Sequence, residues 1–194
     1  MSNVKPMNPT GHLQIFKQYE DGSEEIHFDE QNVITSGMGV GLSHLFAASG
    51  ASSIVDYQVR HFLVGSGGDS TDYGVSTFQL KNPILNDSGW GEDTYLLFDS
   101  WEPIENGAIG SLSRPFARIM FSNINKVTDT SVRYTLVLDR NTLNGKYINE
   151  VGLFMRNPRG STVAPNPILV TYRPFSEITK TSDFSLIFRW TLQF

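Results

Sequence analysis

The sequence contains no cysteine. That absence excludes disulfide frameworks, thiolate zinc sites, iron–sulfur clusters and cysteine nucleophiles together, and it leaves stability to a packed core or to an assembly. No apolar run approaches the roughly 18 residues of a membrane-spanning helix. The opening Met1-Ser2-Asn3-Val4-Lys5-Pro6 lacks the apolar stretch of a secretory signal. Positive charge is also scarce. Fifteen Lys and Arg against twenty Asp and Glu give a net charge of -5, which argues against a basic face for nucleic-acid phosphates. The expectation is a soluble chain made in a cytoplasm, with no membrane partner, no direct nucleic-acid partner and no cofactor.

What the chain does have is aromatic side chains: 13 Phe, 7 Tyr and 3 Trp in 194 residues. They suit a β core or a protein–protein interface, and this length suits a single domain. The charge is divided along the chain. Residues 1–105 carry a net -11 and residues 106–194 a net +6. Such asymmetry can steer complementary surfaces together. The plainer expectation is that strands from both halves interleave and the charges pair within one molecule.

Residues 1–10 hold two prolines and no periodicity, and read as an extended arm. His12–Tyr19 partly alternates as a half-buried strand does, Asp21-Gly22 carries turn chemistry, and Glu25–Phe28 returns as a second strand. One short helix is expected near residues 36–48. Thr35 or Ser36 would cap it, and Met38, Leu42, Leu45 and Phe46 would form its apolar stripe. Gly39, Gly41 and Gly50 weaken that helix, so docking rather than propensity must stabilise it.

Further strands are predicted at Gln58–Val64, Phe116–Phe121, Val132–Leu138, Tyr147–Phe154, Ile168–Phe175 and Phe184–Phe194. Together they predict a mainly β fold, a single β-sandwich domain of jelly-roll type over residues 11–194. Residues 66–110 form an irregular acidic insertion within it.

Few residue patterns suggest chemistry. Gly65-Ser66-Gly67-Gly68 follows a strand but lacks both the third glycine of a dinucleotide fingerprint and a Gly-Lys-Ser/Thr, so a structural turn is the expectation. His12, His27, His44 and His61 have no metal-ligand spacing, and no Gly-x-Ser-x-Gly elbow is present. Asp87, Glu92, Asp93, Asp99, Glu102 and Glu105 crowd around Trp90 and Trp101 without EF-hand spacing. That stretch reads as a solvated acidic loop. Its ligand-binding version would use Trp90, Glu92, Asp93 and Trp101 on a sugar or a protein partner.

Glu150 stands out. On a strand over Tyr147–Met155 it shares a face with Ile148, Gly152 and Phe154, so its carboxylate is expected to be buried. A buried carboxylate needs a partner. Lys180 is the expected one, with Arg118, Arg133 or Arg173 behind it. Catalysis by an unpaired acid would need a second carboxylate, for which Glu177 is the late candidate. The opposite face, Tyr147, Asn149, Val151, Leu153 and Met155, is apolar too. Such a strand belongs inside the fold or beneath a neighbouring subunit.

The order of these segments resembles a pattern in structural proteins of tailed bacteriophages. The Asp-Gly hairpin leads to Asn32-Val33-Ile34-Thr35-Ser36-Gly37 and a short helix, then to Leu63-Val64-Gly65-Ser66-Gly67. Later come Ile148-Asn149-Glu150-Val151-Gly152-Leu153-Phe154, Leu169–Phe175, Ile178-Thr179-Lys180 and the closing Leu186–Leu192. The resemblance spans residues 11–194, and its motifs are structural rather than catalytic. It implies a non-enzymatic virion protein of the tail, neck, baseplate or fibre attachment, sharing a β-sandwich core. Its implied partners are copies of itself, in a ring or trimer, and other virion proteins. The long acidic insertion at residues 81–110 departs from the short linker this family would imply. The alternative expectation is a receptor- or carbohydrate-binding module, with Trp90, Trp101 and the acidic loop meeting a host glycan.

Overall fold

Aromatic and β-branched residues in short alternating runs bury one face of a pleated strand, and this chain uses them in that way. A computed structural model describes residues 8–47, 59–69, 73–84, 98–102, 116–119, 121–155 and 168–194. Its strands are β1 (Thr10–Tyr19), β2 (Glu24–Ile34), β3 (Val59–Gly65), β4 (Phe98–Glu102), β5 (Phe116–Ile119), β6 (Ile124–Thr128), β7 (Ser131–Leu138), β8 (Tyr147–Met155), β9 (Ile168–Thr179) and β10 (Phe184–Gln193). A helix, α1 (Ser36–Phe46), follows β2.

The strands form one antiparallel sheet in the order β4-β5-β3-β8-β9-β2-β1-β10-β7-β6. The first hairpin is built as its residues dictate. Gly22 takes φ +83, a region favourable to glycine, and Asp21 accepts hydrogen bonds from the Ser23 N–H and hydroxyl. β2 belongs to both halves of the sheet. Its early residues pair with β1, while Val33 and Ile34 pair with Tyr172 and Thr171 of β9. Asn32 marks the handover, accepting a hydrogen bond from the Trp190 indole at 2.7 Å and donating to the Thr171 hydroxyl.

Phe28, Ile15, Phe188 and Leu136 stand side by side across β2, β1, β10 and β7. Phe62 of β3 meets Phe188 edge-on at 5.4 Å between ring centroids, and Phe175 of β9 meets it at 6.2 Å. The sheet therefore curls until β3 and β9 face β10 over one core. The expected mainly β fold with one short helix is present. The described strands form one continuous curled sheet, its two halves joined through β2. Of the expected arm, residues 1–7 lie outside the described residues, and Thr10 already opens β1.

The outward face carries a second row, Ile26, Phe16, Ile187 and Val137. Arg189 lies over the Phe16 ring, 4.3 Å from its centroid, and reaches Glu24 at 3.0 Å. Arg140 pairs with Glu20 at 3.2 Å, and Arg173 pairs with Glu30. All three pairs join the basic second half of the chain to the acidic first half, within one molecule.

The helix is held by contact, as its glycines require. Any Cβ at Gly37 would stand 2.1 Å from the Leu169 carbonyl oxygen, and one at Gly41 would stand 1.9 Å from the Met155 sulfur. Met38 enters the core with Leu42 and Leu45 packed against it. Two details depart from expectation. Phe46 is 84% exposed instead of completing the stripe. Thr35 occupies the cap position without a side-chain cap, because its hydroxyl donates to the Leu169 carbonyl and ties the helix start to β9.

Candidate functional site

β8 is buried on both faces within the single chain. Leu80, buried to 1% exposure, packs with Leu63, Phe154, Leu169 and Tyr172, and the Tyr73 ring meets the Tyr172 ring at a tilt, 5.9 Å between centroids. Gly152 leaves the space that Leu80 needs: a Cβ there would come within 2.9 Å of Leu80 Cδ1. Ile148 lies in the main core with Val151, Leu153 and Met155. The expected sharing of one face by Ile148 and Glu150 therefore fails. Alternation breaks at Asn149–Glu150, where the pairing with β9 slips.

Glu150 is 0% exposed. Its Oε1 accepts hydrogen bonds from the backbone N–H groups of Gly67 at 3.0 Å and Asn82 at 2.7 Å. Its Oε2 accepts from the Lys81 backbone N–H at 2.9 Å and from the Tyr172 hydroxyl at 2.8 Å. Beside it, the Asn149 side-chain oxygen accepts from Gly68 N–H at 2.7 Å. Burial, followed by the neighbouring Glu150 charge, pushes the Tyr172 phenol far above its usual range.

The expected Glu150–Lys180 ion pair does not form. Lys180 is also 0% exposed, but its ammonium donates to the Thr181 carbonyl at 2.8 Å and the Asn144 side-chain oxygen at 3.1 Å, near the Phe184 ring. Burial lowers its pKa to about 8, partly offset by Asp139 and Asp183. Arg173 pairs with Glu30, and Arg133 donates to Thr191. Backbone N–H groups and a phenol have displaced the expected cation. Glu177 is exposed on β9, whereas Glu150 is sealed in, so the two do not make a shared acid site open to solvent.

Gly65-Ser66-Gly67-Gly68 does wrap an anion, and that anion is Glu150. A Cβ at Gly65 would stand 2.3 Å from Oε1, and one at Gly68 would stand 2.0 Å from the Asn149 carbonyl oxygen. The glycines allow the backbone to lie against β8. The same anchorage holds the segment 73–84. Ser66 N–H donates to Asn82 O at 2.9 Å, Ile84 N–H to Val64 O at 2.9 Å and Ser36 N–H to Val75 O at 2.7 Å.

On this anchored segment Val75 is 64% exposed and Phe78 53%. Tyr73, Gly74, Ser76, Thr77, Phe78, Gln79 and Lys81 line a shallow recess around them. Isolated exposed apolar residues are ordinary. Two on one braced loop, beside a recess, make the best candidate contact surface among the described residues.

Of the ligand loop expected from the sequence, Trp90, Glu92 and Asp93 lie outside the described residues. Trp101 falls in β4, and its side chain is likewise outside them. His12 meets Asp29 at 2.7 Å, and His27 meets the Ser176 carbonyl at 2.9 Å. Among the described residues, no three His, Asp or Glu side chains are grouped to hold a metal ion. Val75 and Phe78 were not legible beforehand, because two apolar residues in a polar loop carry no periodic signal. No protein-family model, curated protein or solved structure matches this chain.

Proposed function

We infer that this chain is a non-enzymatic structural protein of a tailed-phage virion, working by protein–protein contact in the tail, neck or baseplate. Its partners are copies of itself, in a ring or trimer, and other virion proteins. The observation that carries this reading is the pair Val75 and Phe78, exposed on a loop whose backbone is fixed to β8, β3 and α1. A contact surface that is already ordered loses little conformational freedom on binding, which favours stable assembly.

Two further observations support it. The carboxylate of Glu150 is 0% exposed and has its acceptor positions taken by four donors. Three ion pairs, Arg140–Glu20, Arg173–Glu30 and Arg189–Glu24, join the charged halves within one molecule, and apolar contact through Val75 and Phe78 is the source of association this reading uses. The sequence resemblance then supplies the kind of assembly.

Light scattering on the purified protein tests this reading. A mass several times 21.7 kDa, or one rising with concentration, is expected. A strict monomer at high concentration contradicts it.

A further inference from the structure

We propose that Glu150 is the positioning residue of the Val75–Phe78 loop, acting as a tethered anion inside a receptor made of backbone N–H groups. The proposal rests on the reading of that loop as a docking surface only for its purpose, not for its chemistry.

Two loops far apart in sequence supply the receptor: Gly67 on one side, Lys81 and Asn82 on the other, with the Tyr172 hydroxyl closing it. Successive backbone N–H groups curved around one point form an anion-binding concavity. Such concavities hold phosphate in many proteins. Here β8 provides the anion, and the glycines at 65 and 67 leave no room for anything larger, since a Cβ at either would lie within 3 Å of Oε1.

Removing the carboxylate would aim four donors into a dry space. Buried donors without acceptors are costly, so the loop that can move would turn toward water. Leu80, adjacent to Lys81, links that movement to Val75 and Phe78. Leu80 is buried in the small cluster beneath the loop, and the loop cannot leave Glu150 without disturbing it. The carboxylate thus fixes where the exposed pair points.

This account predicts a specific chemical rescue. Glu150→Ala keeps Cβ and deletes one methylene and the carboxylate, which together match the atoms of acetate. Acetate should therefore fill the vacated receptor. The experiment compares Glu150→Ala in sodium acetate with the same protein in sodium chloride of equal ionic strength, and uses acetamide as a neutral control. The readouts are thermal midpoint and hydrogen exchange of residues 73–82.

In chloride, amide protection at Lys81 and Asn82 is expected to fall at least about tenfold, the equivalent of one hydrogen bond left unmade. Acetate should restore it saturably, and acetamide should not. If Glu150→Ala does not fold in chloride, refolding yield in acetate against chloride gives the same comparison. Glu150→Gln fills the space and should show no acetate effect.

Rescue no better in acetate than in chloride would overturn the proposal. Restored thermal midpoint without restored protection over residues 73–82 would overturn it too, because Glu150 would then be a stability element with no hold on the loop. A monomeric wild type would remove the docking reading while leaving the rescue result to stand by itself.

Discussion

Tyr172 donates its phenolic hydrogen to Glu150 over 2.8 Å, and both side chains are fully buried. The pair connects β9 to β8 within the regular stretch of their ladder that follows the slip between Ile148 and Glu150. The bond runs diagonally across the ladder, since Glu150 stands opposite Pro174 and Tyr172 opposite Gly152.

Tyr172→Phe removes one of four donors and leaves the other three in place. The expected loss is about 1.5–3 kcal/mol, the range for a hydrogen bond to a charged group. Glu150→Gln should cost more, because its amide group would present hydrogens to donors. Urea denaturation midpoints check both. If Glu150→Gln unfolds at the same midpoint as the wild type, the receptor does not hold the structure together.

The glycines of α1 separate packing from propensity. Gly39 has open space where a Cβ would go, and Gly37 has a backbone carbonyl 2.1 Å away. Gly39→Ala should stabilise by up to about 1 kcal/mol through helix propensity. Gly37→Ala should destabilise by about 1–3 kcal/mol, since the helix must lift from β9. Equal effects at the two positions, read by thermal denaturation, would contradict the docking of α1 described above.

Lys180 makes a prediction about pH. Its folded pKa is lowered to about 8 by burial, against 10.5 unfolded. Between those values the unfolded chain holds a proton that the folded chain has released. Stability therefore rises with pH across that window, by up to about 3 kcal/mol. The buried Tyr134 has the opposite sign: burial raises its pKa to about 12, so its contribution declines above pH 10. Lys180→Met should flatten the rise between pH 8 and 10 while keeping the decline beyond it. A wild-type stability that falls steadily from pH 8 to 10, measured by denaturant titration, would rule this out.

The hairpin, the helix and most strands were legible because their signals are local. Asp21-Gly22 needs no tertiary contact to favour a turn, and the apolar positions of β10 alternate along its own length. The burial of Glu150 was legible too, from its apolar neighbours. Its partners were not, because backbone N–H groups 83 and 68 residues away leave no residue-type signature. The trace was Gly65-Ser66-Gly67-Gly68, whose meaning as a cradle for an internal anion depended on knowing what packs against it. Extending a two-residue alternation through Asn149–Glu150 also misplaced Ile148, since a slip in pairing reverses the face of every following side chain.

Association through Val75 and Phe78 is tested most directly by sedimentation velocity on the wild type, Val75→Ser with Phe78→Ser, and Tyr147→Ser. Tyr147 is a comparably exposed aromatic outside the braced loop. The account predicts an assembled wild type and Tyr147→Ser, and a double variant shifted to monomer at an unchanged thermal midpoint. A double variant that sediments as the wild type does, or a wild type that is monomeric throughout, would contradict it.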